Sequence, residues 1–248
     1  PRVRRQRQMC IRDSFWSVVL VGIIGVFVFF WLISAGKLGF MPTFEELENP
    51  NNRFASEVYF ADGPIMNRYF EKENRKYIEY REIPQSVIDA LIATEDVRFY
   101  DHSGVDVRGL FRVAKGLLTA NTSAGGGSTI SQQLAKMLFP RESDLNVFEL
   151  AIRKFREWVI AVRLEKSYTK EEILTMYLNK YDFLNLAVGI SSAADIYFQV
   201  PLDSLKVEQA AMLIGMAKNS SYYNPVRRPE LTLNRRNVVL SQMYKYDK

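Results

Sequence analysis

The spacing of apolar residues changes along the chain, and each change predicts a different element. Phe15–Ile33 is an uncharged apolar run. It is long enough to span a bilayer as one helix, which needs ~20 residues. Trp16 and Trp31 lie near its ends, where interfacial aromatics sit. Residues 36–52 contain Gly36, Gly39, Pro42, Asn49, Pro50, Asn51 and Asn52 and read as a linker. Short runs follow at Ala55–Phe60, through Tyr69-Phe70 and at Arg75–Tyr80, with a turn at Ala61-Asp62-Gly63-Pro64. They predict a small β-hairpin element between anchor and main domain. From Pro84, a residue suited to a first helical position, the period becomes helical. Val87, Ile88, Leu91 and Ile92 form a stripe ending at an acidic pair, and further helices are predicted over 106–120, 128–139, 146–166, 173–179, 186–198, 204–218 and 230–245. Leu150, Phe155, Trp158, Val159 and Val162 are the apolar side of the 146–166 helix, and Thr169–Glu172 reads as a capping box for the next. The division that results is a basic tail (1–14), a transmembrane helix (15–34), a linker with short strands (35–82) and a mostly α domain (83–248).

The net charge of +5 changes this picture little, because residues 1–12 carry five arginines and no acid. The remainder balances 28 basic against 28 acidic residues, so the outer domain has no excess positive charge calling for nucleic acid. Arginines before the apolar run, with only Lys37 soon after it, put the N-terminus in the cytoplasm and residues from about 36 onward outside. A cleaved signal peptide is the competing reading, but its apolar region is usually ~7–15 residues and a convincing A-x-A site is missing. Cys10 is the only cysteine, so the outer domain has no disulfide and rests on its core.

Three stretches carry candidate chemistry. Glu95 and Asp96 end an apolar helix beside Phe99 and Tyr100, and partial desolvation there suits a general base. A Glu-Asp pair alone is more often a solvated helix end. His102, the single histidine, is by itself better read as structural, and one histidine without a nearby cysteine excludes the usual zinc sites. The loop Ala124–Gly127 before Ser128 would let a ligand approach backbone closely, and the helix after it would offer free N–H groups to an anion. Gln132 or Gln133 falls one turn before Lys136, so an amide and an ammonium share a face. A nucleotide P-loop requires Gly-Lys-Ser/Thr, and here Ser128 follows Gly127 directly. In Arg153-Lys154-Phe155-Arg156-Glu157, the plain reading is an intrahelical ion pair, and the functional one a carboxylate held among cations.

In order, Glu-Asp-x-x-Phe-x-x-His-x-Gly, Gly-x-Ser-Thr-Ile-x-Gln-Gln-x-x-Lys and Arg-Lys with Glu157 resemble the peptidoglycan glycosyltransferase domain, glycosyltransferase family 51, of class A penicillin-binding proteins and monofunctional transglycosylases. Blocks at Ile173–Asn179 with Gly189 and Ser192–Phe198, and at Ala210–Met216 with Tyr223-Asn224-Pro225 and Arg235–Leu240, agree, so the likeness covers roughly 83–245. The resemblance implies a two-lobed, lysozyme-like, mostly helical fold on the membrane. It implies polymerisation of lipid II: the acceptor N-acetylglucosamine 4-hydroxyl attacks the lipid-linked end of the growing strand, undecaprenyl pyrophosphate leaves, and the anomeric centre inverts to a β-1,4 bond. Glu95 then matches the general base and Glu157 the second catalytic glutamate. Lys136 and Arg153 match cations at the diphosphate, and Lys154 beside them is a further substrate-binding candidate. Ser128, Thr129, Gln132 and Gln133 match donor-side contacts, Arg112 the arginine after the first motif, and Asp96, Phe99 and His102 positions that shape the cleft. The family allows a divalent cation, Mg or Mn, at the pyrophosphate with Glu157 as ligand, and no organic cofactor. Its partners are lipid II, the nascent lipid-linked strand, the bacterial cytoplasmic membrane and cell elongation or division proteins.

Two departures stand out. Met137 replaces the asparagine usual after the motif-two lysine, and Tyr181-Asp182-Phe183-Leu184-Asn185 differs from the usual fourth block. Met137, Leu138 and Phe139 are expected to face the lipid channel or bilayer. Two alternatives remain: a membrane-bound lytic transglycosylase and an inactive glycan-binding scaffold. No Ser-x-x-Lys is paired with a Lys-Thr-Gly, and the linker resembles that of the two-domain class, so a fragment of a longer protein is expected.

Overall fold

The computed structural model describes residues 2–39, 41, 56–59, 65–69, 74–119, 126–138 and 146–248. Most of the expected linker, the turn at 61–64, Ala124, Gly125 and Phe139 lie outside them. The first helix, α1, is Arg2–Ser34, and within it Asp13–Ser34 is long and apolar enough to cross a membrane. The expected hairpin is present: β1 (Ser56–Tyr59) pairs antiparallel with β2 (Ile65–Tyr69). Of the third expected strand only β3 (Asn74–Arg75) forms, and it pairs parallel with β4 (Ala187–Val188). That pairing falls inside the predicted 186–198 helix, which starts later. Just before β4, Leu184, Asn185 and Leu186 all have positive φ, a conformation a helix cannot contain.

The remaining helices are α2 (Gln85–Glu95), α3 (Val107–Leu118), α4 (Ile130–Leu138), α5 (Val147–Ser167), α6 (Lys170–Lys180), α7 (Ile190–Phe198), α8 (Val207–Met216) and α9 (Pro229–Lys245). The Thr169–Glu172 capping box forms as read, with Thr169 Oγ1 accepting from Glu172 N–H and the Glu172 carboxylate accepting from Thr169 N–H. Pro84 sits one position before its expected place, at the N-cap of α2. The helices fall into two packing groups, α2 with α8 and α9, and α4 with α5 and α6. One continuous core joins the groups, and the α2 stripe of Val87, Ile88, Leu91 and Ile92 lies in it. The chain entering from the linker is stitched to this body by Asn179, whose side-chain amide exchanges two hydrogen bonds with the backbone of Ile78.

In helix α5 the fully buried apolar residues are Ile160, Ala161 and Leu164, while Phe155, Trp158, Val159 and Val162 of the expected apolar side are half-buried and Leu150 is exposed. One residue of that side meets α1: the Phe155 ring packs edge-on against Phe29 and Phe30, and also against Trp158. Arg163 Nη2 donates to the carbonyl and hydroxyl of Ser34, each at 2.8 Å, and holds the C-terminal end of α1 on α5. Met137 and Leu138 are partly buried and pack against the core. The exposed apolar residues of this region are Val147, Phe148 and Leu150 at the start of α5.

The loop after α2 is pressed onto α5. Gly104 has φ +92°, and a Cβ there would stand 2.7 Å from the Ala161 carbonyl. Only glycine combines that backbone with that approach. Replacing Gly104 with Ala is expected to destabilise the domain by about 2–5 kcal/mol, through strain plus the clash. A thermal unfolding midpoint unchanged from wild type would show that the loop does not seat here.

Candidate active site

Two consecutive acids end α2 in opposite electrostatic settings. Glu95 is its last residue, where the helix dipole presents negative charge and disfavours a carboxylate. Its side chain is 13% exposed and held from both sides: Oε1 accepts from Arg235 Nη2 of α9 at 3.3 Å, and Oε2 accepts from Gln133 Nε2 of α4 at 2.9 Å. The orientation of that amide is set in turn by Tyr177 of α6, whose hydroxyl donates to Gln133 Oε1 at 3.0 Å. Burial, reinforced by the Glu95 charge, pushes the Tyr177 phenol well above its ordinary value, so it stays a donor. The apolar setting expected from Phe99 and Tyr100 is not what surrounds Glu95. Phe99 is fully buried against Tyr100 and His102, with Lys170 Nζ 4.3 Å from its ring centre.

Asp96 points to the N-terminus of α4 instead. Its carboxylate accepts from Ile130 N–H at 3.1 Å and from His102 Nε2–H at 3.0 Å. Because His102 Nδ1 accepts from Gly104 N–H, the ring proton sits on Nε2. Thr129 caps the same helix, accepting from Gln132 N–H while donating to the Gly104 carbonyl at 2.6 Å. Asp96 and Thr129 thus occupy N–H groups that the glycine loop was expected to offer an anion. The helix terminus binds a protein carboxylate, and anion binding falls to side chains.

Those side chains line an open cleft of about 200 Å³ formed by Lys136, Leu150, Arg153, Lys154 and Glu157. On α5 the residues Leu150, Arg153, Lys154 and Glu157 follow helical spacing, and the same stripe continues into buried Ile160, Ala161 and Leu164. The cleft opens where that stripe leaves the core. Lys154 Nζ is 3.0 Å from Glu157 Oε2 and donates to Ser128 Oγ at 2.9 Å and Gln132 Oε1 at 3.3 Å. Lys136 Nζ lies 3.6 Å from the same Glu157 oxygen. A divalent cation is a poor fit to this donor set. Glu157 is one carboxylate between two ammoniums, and among the described residues no three His, Cys, Asp or Glu side chains converge.

The fold therefore brings Glu95 and Gln133 together at one end, and Ser128, Gln132, Lys136, Arg153, Lys154 and Glu157 at the other. Asp96, His102, Thr129 and Phe99 lie beneath, joining the two. Arg112 is exposed on α3 and takes no part in these contacts. Arg235, Tyr177, Glu165 and Lys170 had been assigned no role. Lys170 Nζ binds both Glu165 and the His102 carbonyl, and Glu165 accepts from Ser131 Oγ. The only sequence signal for Arg235 was its place in the fifth block, since 140 positions separate it from Glu95.

A carboxylate held by fixed donors beside a cationic cleft, on a helical domain tied to a membrane-length helix, is an arrangement for moving a group off an anionic leaving group. The family model described as transglycosylase matches residues 62–244, and the chain belongs to that family. It is 38% identical over 203 residues to penicillin-binding protein 1A of Escherichia coli (strain K12), covering 82% of this chain and 23% of that protein. Identity to penicillin-binding protein 1A of Pseudomonas aeruginosa is also 38%, over 83% of this chain and 24% of that protein. The Neisseria gonorrhoeae protein of the same name is 34% identical, over 90% and 26% respectively. The chain thus spans about a quarter of the length of these relatives. The crystal structure of penicillin-binding protein 1A from Haemophilus influenzae aligns with a TM-score of 0.41 and 22% identity, over 79% of this chain and 20% of that one.

Replacing Asp96 with Ala strands two buried donors, Ile130 N–H and His102 Nε2–H. The expected cost is about 2–4 kcal/mol, read as a lower urea midpoint with an unchanged slope. An unaltered midpoint would mean that the α2–α4 junction does not depend on this carboxylate.

Proposed function

We propose that the domain is a peptidoglycan glycosyltransferase that polymerises lipid II. Glu95 takes the proton of the acceptor N-acetylglucosamine 4-hydroxyl as its oxygen bonds to the anomeric carbon of the lipid-linked strand. The bond from that carbon to the diphosphate oxygen breaks with inversion, giving a β-1,4 link and releasing undecaprenyl pyrophosphate. Lys136, Arg153 and Lys154 receive the charge growing on the leaving group. Glu157 spaces Lys136 and Lys154 and keeps both directed at the cleft. No step requires a metal ion held by the protein.

The observation that carries this reading is the division of labour on α4. Gln133 binds Glu95, while its neighbour Gln132 binds Lys154 at the cationic cleft. Adjacent residues on a helix point ~100° apart, so one short helix separates a proton acceptor from an anion grip by one face. The apolar helix supports anchoring in the bacterial cytoplasmic membrane, with the N-terminus inside and the domain on the outer face. Polyprenyl-linked substrates then diffuse in the same plane as the cleft, which raises their effective concentration. Cell elongation or division proteins are the class of partner such an enzyme would meet.

Incubation of labelled lipid II with the membrane-anchored protein should yield glycan polymer, and Glu95→Gln should reduce the rate by ~10²-fold or more. Shortening of preformed glycan would favour a lytic enzyme instead. Equal behaviour of wild type and Glu95→Gln in both assays would leave only a glycan-binding scaffold.

A further inference from the structure

We propose that Arg235 is a positioning residue for the general base: it holds the Glu95 carboxylate in one orientation, facing the acceptor. The inference rests on the glycosyltransferase reading and adds a residue to it. Glu95 is poorly placed by its own helix. It lies at the negative end of α2, largely out of solvent, where an uncompensated carboxylate is costly. The groups facing it are Arg235 from α9, Gln133 from α4 and Tyr177 from α6, with the Tyr181 phenol close enough to feel its charge. Of these, Arg235 alone is cationic. Gln133 fixes one carboxylate oxygen and Arg235 the other, so neither oxygen is free to rotate away. Each still has a lone pair for an incoming hydroxyl.

Arg235 is itself held in place. Its stem lies across Gly215 of α8, where a Cβ would stand 3.2 Å from Arg235 Cγ. Its Nε donates to the Gly215 carbonyl at 3.4 Å, and its guanidinium carbon sits 5.8 Å from the Tyr223 ring centre. The side chain is 11% exposed. A surface arginine would need none of this support. Gly215 leaves room for the stem, and the guanidinium reaches from α9 to the end of α2. The acceptor end of the site is thereby tied to α8 and α9, while the cations at the leaving-group end stand on α4 and α5.

The test is steady-state polymerisation of labelled lipid II by the membrane-anchored protein, with kcat and KM separated and thermal unfolding recorded for each variant. Arg235→Gln should lower kcat by ~10–100-fold, with KM for lipid II within about threefold of wild type. Arg235→Lys, which keeps the cation, should recover at least about a third of the lost logarithm of rate. Gly215→Ala displaces the arginine stem without touching Glu95 and should lower kcat several-fold at unchanged KM. It carries the same test should Arg235→Gln fail to fold. Unchanged kcat in Arg235→Gln or in folded Gly215→Ala, or a lysine variant no better than the glutamine one, overturns the inference. An inactive wild type overturns the glycosyltransferase reading itself, whereas an active wild type with an indifferent Arg235→Gln overturns only the role of Arg235.

Discussion

Much of the domain depends on the Asp96 carboxylate. It accepts from the first N–H of α4 and from His102, and its neighbour Glu95 shares the backbone that places it. Where α4 begins is therefore fixed relative to where α2 ends. That relation decides which way Gln132, Gln133 and Lys136 point. The helix dipole explains the order of the two acids: the one directed at a helix N-terminus is stabilised there, and the one left at a C-terminus needs an outside cation. The pair is thus one acid bound into the helix junction and one left for the proposed chemistry, and exchanging their order would give neither the same field.

Helix α5 is the second organising element, because it serves three surroundings at once. Ile160, Ala161 and Leu164 bury into the core, and Arg153, Lys154 and Glu157 open into the cleft on the same stripe. Phe155 faces α1. The cations are thus mounted on the element that α1 grips through Phe29, Phe30 and Ser34. The candidate anchor and the cationic cleft are thus carried by one helix, as the proposed lipid-linked substrate would require.

Several features were legible in the sequence because they are local. The apolar run, the hairpin, the Thr169–Glu172 cap and most helix bounds follow from period and capping chemistry over a few residues. The motif residues Glu95, Lys136, Lys154 and Glu157 could be picked out by their resemblance to a family. Other features could not be read this way. The apolar side of α5 could be found by its period, but not that Phe155 meets α1, because periodicity identifies a face and not what covers it. The free N–H groups after the glycine loop were assigned to a ligand, although a carboxylate 34 positions earlier in the chain takes one of them.

By itself, then, the sequence determined the inventory: a membrane-length helix, a mostly helical domain, and a set of acids, amides and cations in family order. These are properties of residue type and of spacings below about two helical turns. Only the tertiary structure decided the partnerships. Arg235 meets Glu95, Asp96 meets α4, and two adjacent glutamines serve opposite ends of the site. The physical reason is range: hydrogen bonds and ion pairs act over a few ångströms, while these partners stand tens to more than a hundred positions apart in the chain. What brings them together is burial of the apolar stripes, and that burial is blind to the polar residues it carries into contact.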